Sequence, residues 1–278
     1  MITHITQSII NQIGRCPVQF EFRYINNIII PPGFAARKGS AVHFGAETAH
    51  RFRVNNDNEA PPLELIADST RDEFVRLVND EGIFMTKEEL FEGKNKILGN
   101  AQDEAIRGAS AYVNKCLPYI CDIAMFEERL YADIGLELPV SGKPDLVADS
   151  MNNDIKTNNG ARWREEDVRL ECQPTLYRML LRENGFGELN SRYTVITNMN
   201  KAPDTNIHEG TLWDEENRTC IDELNTERTA EDEKKLIFKI DTYIKMINSG
   251  IFIPCRQGKG NWACTPKYCG FYKRCKYT

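Results

Sequence analysis

The stretch GKPDLVADSMNNDIKT, residues 142–157, constrains this 278-residue chain more than any other. Two short runs, 143–149 and 153–157, flank Asp149-Ser150-Met151-Asn152-Asn153, and this pattern predicts two strands joined by a hairpin turn. Alternation along the second strand puts Asp154 and Lys156 on one face and Ile155 on the opposite, packed face. The hairpin brings Asp145 beside them. Two carboxylates held that close repel each other unless a cation lies between them, and hard oxygen ligands select Mg²⁺ or Mn²⁺. A neighbouring lysine can orient an attacking water while the cation offsets charge building on a phosphate. An Asp-x-Lys pair alone is most often an exposed ion pair, so the weight falls on its surroundings.

The segments 125–134 and 191–198 read as further strands, and 163–184 reads as a helix carrying Val168, Leu176, Tyr177, Leu180 and Leu181. Strand, strand, strand, helix, strand predicts an α/β fold with a central mixed β-sheet flanked by helices. The front half is predominantly helical: 4–25 in one or two pieces with Pro17 able to start the second, then 36–52, then 67–116 with breaks at Gly82 and Gly99.

Charge argues at first against a nucleic-acid partner, because 35 Lys+Arg stand against 41 Asp+Glu for a net of −6. The acid is local. Residues 209–235 hold ten acids, Glu209 to Glu233, and four bases, a net of −6 that reads as a solvated loop and helix face. The last 24 residues, 255–278, carry Arg256, Lys259, Lys267, Lys273, Arg274 and Lys276 with no acid, interleaved with Trp262, Tyr268, Phe271, Tyr272 and Tyr277. That composition suits phosphates and bases. The opening residues do not read as a secretory signal, and no apolar run approaches the roughly 20 residues that span a bilayer, so a cytoplasmic location is expected.

Three more fragments flank the hairpin in order. Gly39, His43 and Glu47 are spaced by four and share one face of the short helix, where a histidine can complete a metal's shell. Glu128 lies on the expected strand before the hairpin and would extend the acidic cluster, with Glu127 alternating to the other side. Gln173 and Tyr177 share a face of the following helix, with Pro174 marking a kink or a helix start. The ordered set Gly39/His43/Glu47, Gly142/Asp145, Asp154/Lys156 and Gln173/Tyr177 resembles the PD-(D/E)XK nuclease superfamily in its RecB-like branch. The resemblance covers roughly 5–52 and 125–278, leaving 53–124 as a helical insertion in a single nuclease domain spanning 1–278. It implies a restriction-endonuclease-like core in which His43, Asp145, Asp154 and the Ile155 carbonyl hold Mg²⁺ or Mn²⁺. It also implies that Lys156 assists the attacking water, while Gln173, Tyr177 and Glu128 shape the site.

Nine cysteines in a chain expected to be cytoplasmic read as buried thiols and metal ligands rather than disulfides. Cys264, Cys269 and Cys275 cluster near the C-terminus, and Cys16 stands at the other end. Their spacing suits structural zinc and an iron–sulfur cluster about equally. Resemblance to the AddB nuclease domain and the CRISPR-associated RecB-like exonucleases implies a [4Fe-4S] cluster on Cys16, Cys264, Cys269 and Cys275. The C-x₄-C spacing departs from the C-x₂-C frequent there, and Cys255 is a rival for the fourth ligand. Cys116, Cys121, Cys172 and Cys220 read as ordinary buried thiols.

The expected activity is therefore a metal-dependent DNA exonuclease acting on single-stranded ends in phage or bacterial DNA recombination, repair or CRISPR-type processing. With no G-x-x-x-x-G-K-[ST] loop in the sequence, unwinding is expected from a helicase partner. The rival expectation is a non-catalytic iron–sulfur DNA-binding or recombination accessory protein on the same fold.

Overall fold

The computed structural model describes residues 2–158, 162–203, 210–255 and 262–277. Strand β1 (Ile5–Thr6) runs into helix α1 (Gln7–Arg15), whose first turn is capped by the Thr6 hydroxyl accepting from the Ile9 amide. Pro17 occupies the first position of α2 (Pro17–Phe20), where its missing N–H costs nothing, and a π-helical turn Glu21–Ile25 prolongs it. Helices α3 (Phe34–Asn55), α4 (Leu63–Asp80), α5 (Lys87–Glu92) and α6 (Lys94–Lys115) follow. Gly82 lies in the break after α4 as expected, whereas Gly99 sits inside α6 and breaks nothing.

Next come β2 (Ile123–Phe126), β3 (Leu130–Ala132), β4 (Val140–Gly142), β5 (Leu146–Ala148) and β6 (Met151–Asn158). After these come α7 (Glu165–Leu170), α8 (Gln173–Glu183), β7 (Asn190–Asn198), β8 (Thr211–Asp214), β9 (Thr219–Thr226) and α9 (Ala230–Ser249). The expected helix 163–184 is two helices, because Pro174 cannot continue one and instead starts α8. The expected strand 125–134 is also two. β2 joins a six-stranded sheet ordered β2-β5-β6-β7-β9-β8, and β3 joins a three-stranded sheet ordered β1-β4-β3. In the large sheet β6 and β7 are parallel and the other neighbours antiparallel, which makes it mixed.

Each face of that sheet is buried under helices. Ile155, Ile196 and Ile221 pack with Ala41, Ala46, Phe74, Ala105 and Ala109 of α3, α4 and α6, so the 53–124 segment supplies much of this helical layer. Leu176 and Leu180 of α8 pack with residues of α1, α9 and the small sheet in a second cluster, and Val168, Tyr193, Val195 and Leu224 form a third. Small alanines on α3 and α6 let those helices lie close to the sheet. Among the described residues, no helix is long and apolar enough to cross a membrane.

The acidic run 209–235 is not a solvated loop. It contains β8, β9 and the first turn of α9, and Asp214, Asp222 and Glu233 are buried. Each has partners: Asp222 pairs with Arg162 and accepts from Thr211 Oγ1, Asp214 accepts from Asn114 and Asn217, and Glu233 accepts from Arg178 and Arg182. Glu209, counted in that run, lies outside the described residues. A buried carboxylate is tolerated when its charge is met by a cation and its lone pairs by donors. Replacing Asp222 by Ala should cost about 3 kcal/mol of stability by taking the carboxylate from Arg162. Chemical denaturation checks this, and an unchanged midpoint would contradict it.

Candidate active site

The hairpin that the sequence predicts is the scaffold of the site. Asp149 and Ser150 have φ of 52° and 58°, and Ala148 pairs with Met151, as a two-residue turn with two left-handed positions requires. The Asp149 carboxylate steadies the turn by accepting from the Cys121 and Asp122 amides at 3.1 and 2.9 Å. With Leu146 opposite Asn153, Asp145 falls beside Asp154. Its Oδ2 accepts the Ile155 amide at 2.7 Å, and its Oδ1 lies 3.2 Å from His43 Nδ1.

His43 arrives from α3 on the far face of the sheet. That helix approaches β6 closely at Gly39, where an added Cβ would stand 3.0 Å from Thr157 Oγ1. Glu47, on the same helix face, is ion-paired with Arg51. On the near face, Asp154 and Lys156 touch each other as an ion pair, and the Gln173 side chain bridges them. Its Oε1 accepts from Lys156 Nζ at 3.0 Å, and its Nε2 donates to Asp154 Oδ1. The Lys156 ammonium also lies 5.4 Å from the Tyr193 ring centroid. Tyr177, one turn along α8, donates its hydroxyl to the Lys143 carbonyl at 3.1 Å.

One acid differs from the sequence expectation. Glu128 is exposed, in the turn after β2, and Glu127 is the residue that reaches the cluster. Glu127 adopts φ of 51°, and its amide donates to the Pro144 and Asp145 carbonyls at 3.1 and 3.2 Å. The strand therefore ends at Phe126, and strict alternation does not hold through the two glutamates. Glu127 contacts Lys143 at 2.5 Å and His43 at 3.9 Å. Among the described residues, His43, Glu127 and Asp145 are the one group of three whose ligand atoms all lie within 4.8 Å of each other. Asp154 stands just outside it, one oxygen held by Gln173 and the other against Lys156.

Burial works against an imidazolium at His43, but Asp145 and Glu127 outweigh it and raise its pKa to about 10. Burial raises Asp154 to about 6, with Asp145 adding to the rise and Lys156 opposing it. For Asp145, burial would raise the pKa, yet His43, Lys156 and the Ile155 amide bring it below the usual carboxylate value. Carboxylates this close, with a histidine nitrogen among them, form a donor set that fits a hard divalent cation.

A mixed sheet covered by helices, with clustered acids and a lysine at one hairpin, defines the nuclease-type α/β class. A profile of the PD-(D/E)XK nuclease superfamily matches residues 4–276, so the chain belongs to that superfamily. The fold is similar to the crystal structure of a "putative exonuclease" from Eubacterium rectale. The TM-score is 0.55 at 10% identity, over 92% of this chain and 86% of that one. No curated protein matches the sequence.

Two outcomes follow from this geometry. An added Cβ at Gly142 would fall 2.6 Å from a Tyr177 ring carbon and 2.8 Å from Leu180 Cδ1. Gly142→Ala should therefore destabilise the protein by about 1–3 kcal/mol, read as a lower melting temperature. His43 binds its proton more tightly folded than unfolded, so its contribution is full below pH 6.5 and is lost as pH rises towards about 10. Melting temperatures with chelator present should fall across that window more steeply for the parent than for His43→Gln, and parallel profiles would contradict the assignment.

Proposed function

We propose that the chain is a Mg²⁺- or Mn²⁺-dependent deoxyribonuclease, an exonuclease that hydrolyses phosphodiester bonds from single-stranded DNA ends. The observation that carries this is the meeting of His43, Glu127, Asp145, Asp154 and Lys156 at one hairpin in a chain of the nuclease superfamily. His43, Asp145, Asp154 and the Ile155 carbonyl would hold one or two ions, with Glu127 in the place expected for Glu128. A bound ion supplies Lewis-acid polarisation of the phosphate and offsets charge developing on it. Lys156, already an ammonium against Asp154, orients the attacking water and stabilises negative charge. Gln173 positions both of those side chains, and Tyr177 fixes the turn that carries Asp145.

The second part of the proposal is a structural [4Fe-4S] cluster on Cys16, Cys264, Cys269 and Cys275, with structural Zn²⁺ as the alternative. These four and Cys255 line one small cavity between α2 and the C-terminal segment, and all nine cysteines are thiols. Gln19 Nε2 donates to Cys269 Sγ at 3.2 Å, and the Cys255 amide donates to Cys16 Sγ at 3.4 Å. Donors aimed at sulfur suit thiolate ligands. Of the cysteines expected to be ordinary buried thiols, Cys116 and Cys220 are buried, Cys172 is half-buried and Cys121 is exposed. Work beside a helicase in phage or bacterial recombination, repair or CRISPR-type processing is the context the family resemblance favours.

Digestion of 5′- and 3′-labelled single- and double-stranded DNA with Mn²⁺ tests the activity. The parent should degrade single strands from an end, and Lys156→Ala should be slower by at least about 100-fold; equal rates would overturn the site. Anaerobic purification with iron, sulfide and zinc analysis tests the cluster, and a colourless zinc protein would overturn it.

A further inference from the structure

Two clefts run into one another beside the site. The first is bordered by Lys143 and Tyr177 and extends past Arg129 and Tyr131 to Arg23. The second shares Ser8 and Arg23 with it and continues past Arg15 to Lys267 and Tyr268. At about 670 and 830 Å³, they exceed together the roughly 300–1,000 Å³ of a small-molecule pocket. The joined groove reaches from the turn that carries Asp145 to the cysteine region, whose Gln19 and Phe271 also line its far end.

Lys143, at the near end of the groove, is paired with Glu127, but four further exposed cations stand along it, and among the described residues none of these four is paired with a carboxylate. Arg129 donates to Ser141 Oγ at 3.4 Å, and Arg15, Arg23 and Lys267 lie 5.5, 5.7 and 5.2 Å from the rings of Trp262, Tyr24 and Tyr268. Elsewhere Arg37, Arg51, Arg71 and Arg76 each have an acidic partner. The groove's own acid, Glu89, is occupied in capping α5 through the Thr86 amide at 2.7 Å. Tyr131, Tyr268 and Trp262 are 52%, 52% and 58% exposed, and the last two meet edge to face. Unpaired cations can follow phosphates, and exposed rings can stack on bases that are free of a partner strand. Arg256 and Lys259, in the same basic segment, lie outside the described residues.

We propose that this groove is the track of the single strand that flanks the cut, gripped by Arg23, Arg15 and Lys267 and stacked on Tyr268 and Trp262. It rests on the nuclease reading only for the place of the cut. Binding is measured by fluorescence anisotropy in a Lys156→Met background, where the strand survives. The triple variant Arg15→Ala/Arg23→Ala/Lys267→Ala should weaken a 20-nucleotide strand about 10- to 100-fold. It should also lower the salt slope by about 2, at roughly 0.7 per phosphate contact. Trp262→Ala should cost about 5-fold or more. The loss should be small for a tetranucleotide, and Lys245→Ala, on the α9 surface, should change nothing. Gln in place of Ala at the three cations serves should the first variant fail to fold. Unchanged affinity and slope, an equal loss for short and long strands, or equal binding of a duplex would overturn the proposal. A parent that cuts no DNA but shows the expected losses would sink the nuclease reading and leave the groove standing; a parent that cuts while the triple variant binds normally would do the reverse.

Discussion

The remaining geometry depends on the contact between Asp145 Oδ2 and the Ile155 amide, 2.7 Å long. It sits where a backbone amide of β6 would otherwise be left in the interior without an acceptor, so the carboxylate stands in for a missing strand neighbour. Satisfying that amide turns the second oxygen towards His43, and the histidine comes from the opposite face of the sheet. One aspartate therefore ties together the hairpin, α3 and the Glu127 turn, whose amide is held by the Pro144 and Asp145 carbonyls. Gly142 serves the same arrangement from the other side, because its missing side chain lets Tyr177 and Leu180 of α8 close over the turn.

Electrostatics then decide what the cluster can accept. Glu127, Asp145 and Asp154 are gathered with Lys143, His43 and Lys156: Glu127 meets Lys143 and, at longer range, His43, Asp145 meets His43, and Asp154 meets Lys156. Removing water strengthens these contacts and also raises the penalty for leaving any one charge unmatched. Lys156 is fixed in place by Asp154 and Gln173, whereas His43 is half-exposed at the mouth. On the side towards Glu127 and Asp145 both cationic contacts, His43 and Lys143, are partly open to solvent, so that is the side where a divalent cation can take their place.

Much of this was legible in the residues. The Asp-x-Lys alternation, the turn residues before it and the four-residue spacings of Gly39/His43 and Gln173/Tyr177 each reduce to a local period, and local periods survive folding. Glu127 was not legible, because its place depends on a left-handed backbone at a non-glycine residue, which tertiary hydrogen bonds impose. Strands β8 and β9 were hidden for a different reason. Asp214 and Asp222 look like surface residues, and only their distant partners Asn114 and Arg162 make their burial tolerable. Gly99 misled in the opposite sense, since one glycine costs a long helix only about 1 kcal/mol. Net charge misled in the same way as the acidic strands: within the run 209–235, Asp222 and Glu233 meet arginines in the interior and Asp214 meets amide donors, while the cations along the groove stay exposed.

The account stands or falls on a divalent cation at the hairpin. Anomalous diffraction from crystals soaked in Mn²⁺ tests it most directly. A peak within bonding distance of His43 Nδ1 and an Asp145 oxygen, and absent from Asp145→Asn crystals, is the predicted result; fully occupied Mn²⁺ elsewhere, with none between His43, Glu127, Asp145 and Asp154, would contradict it.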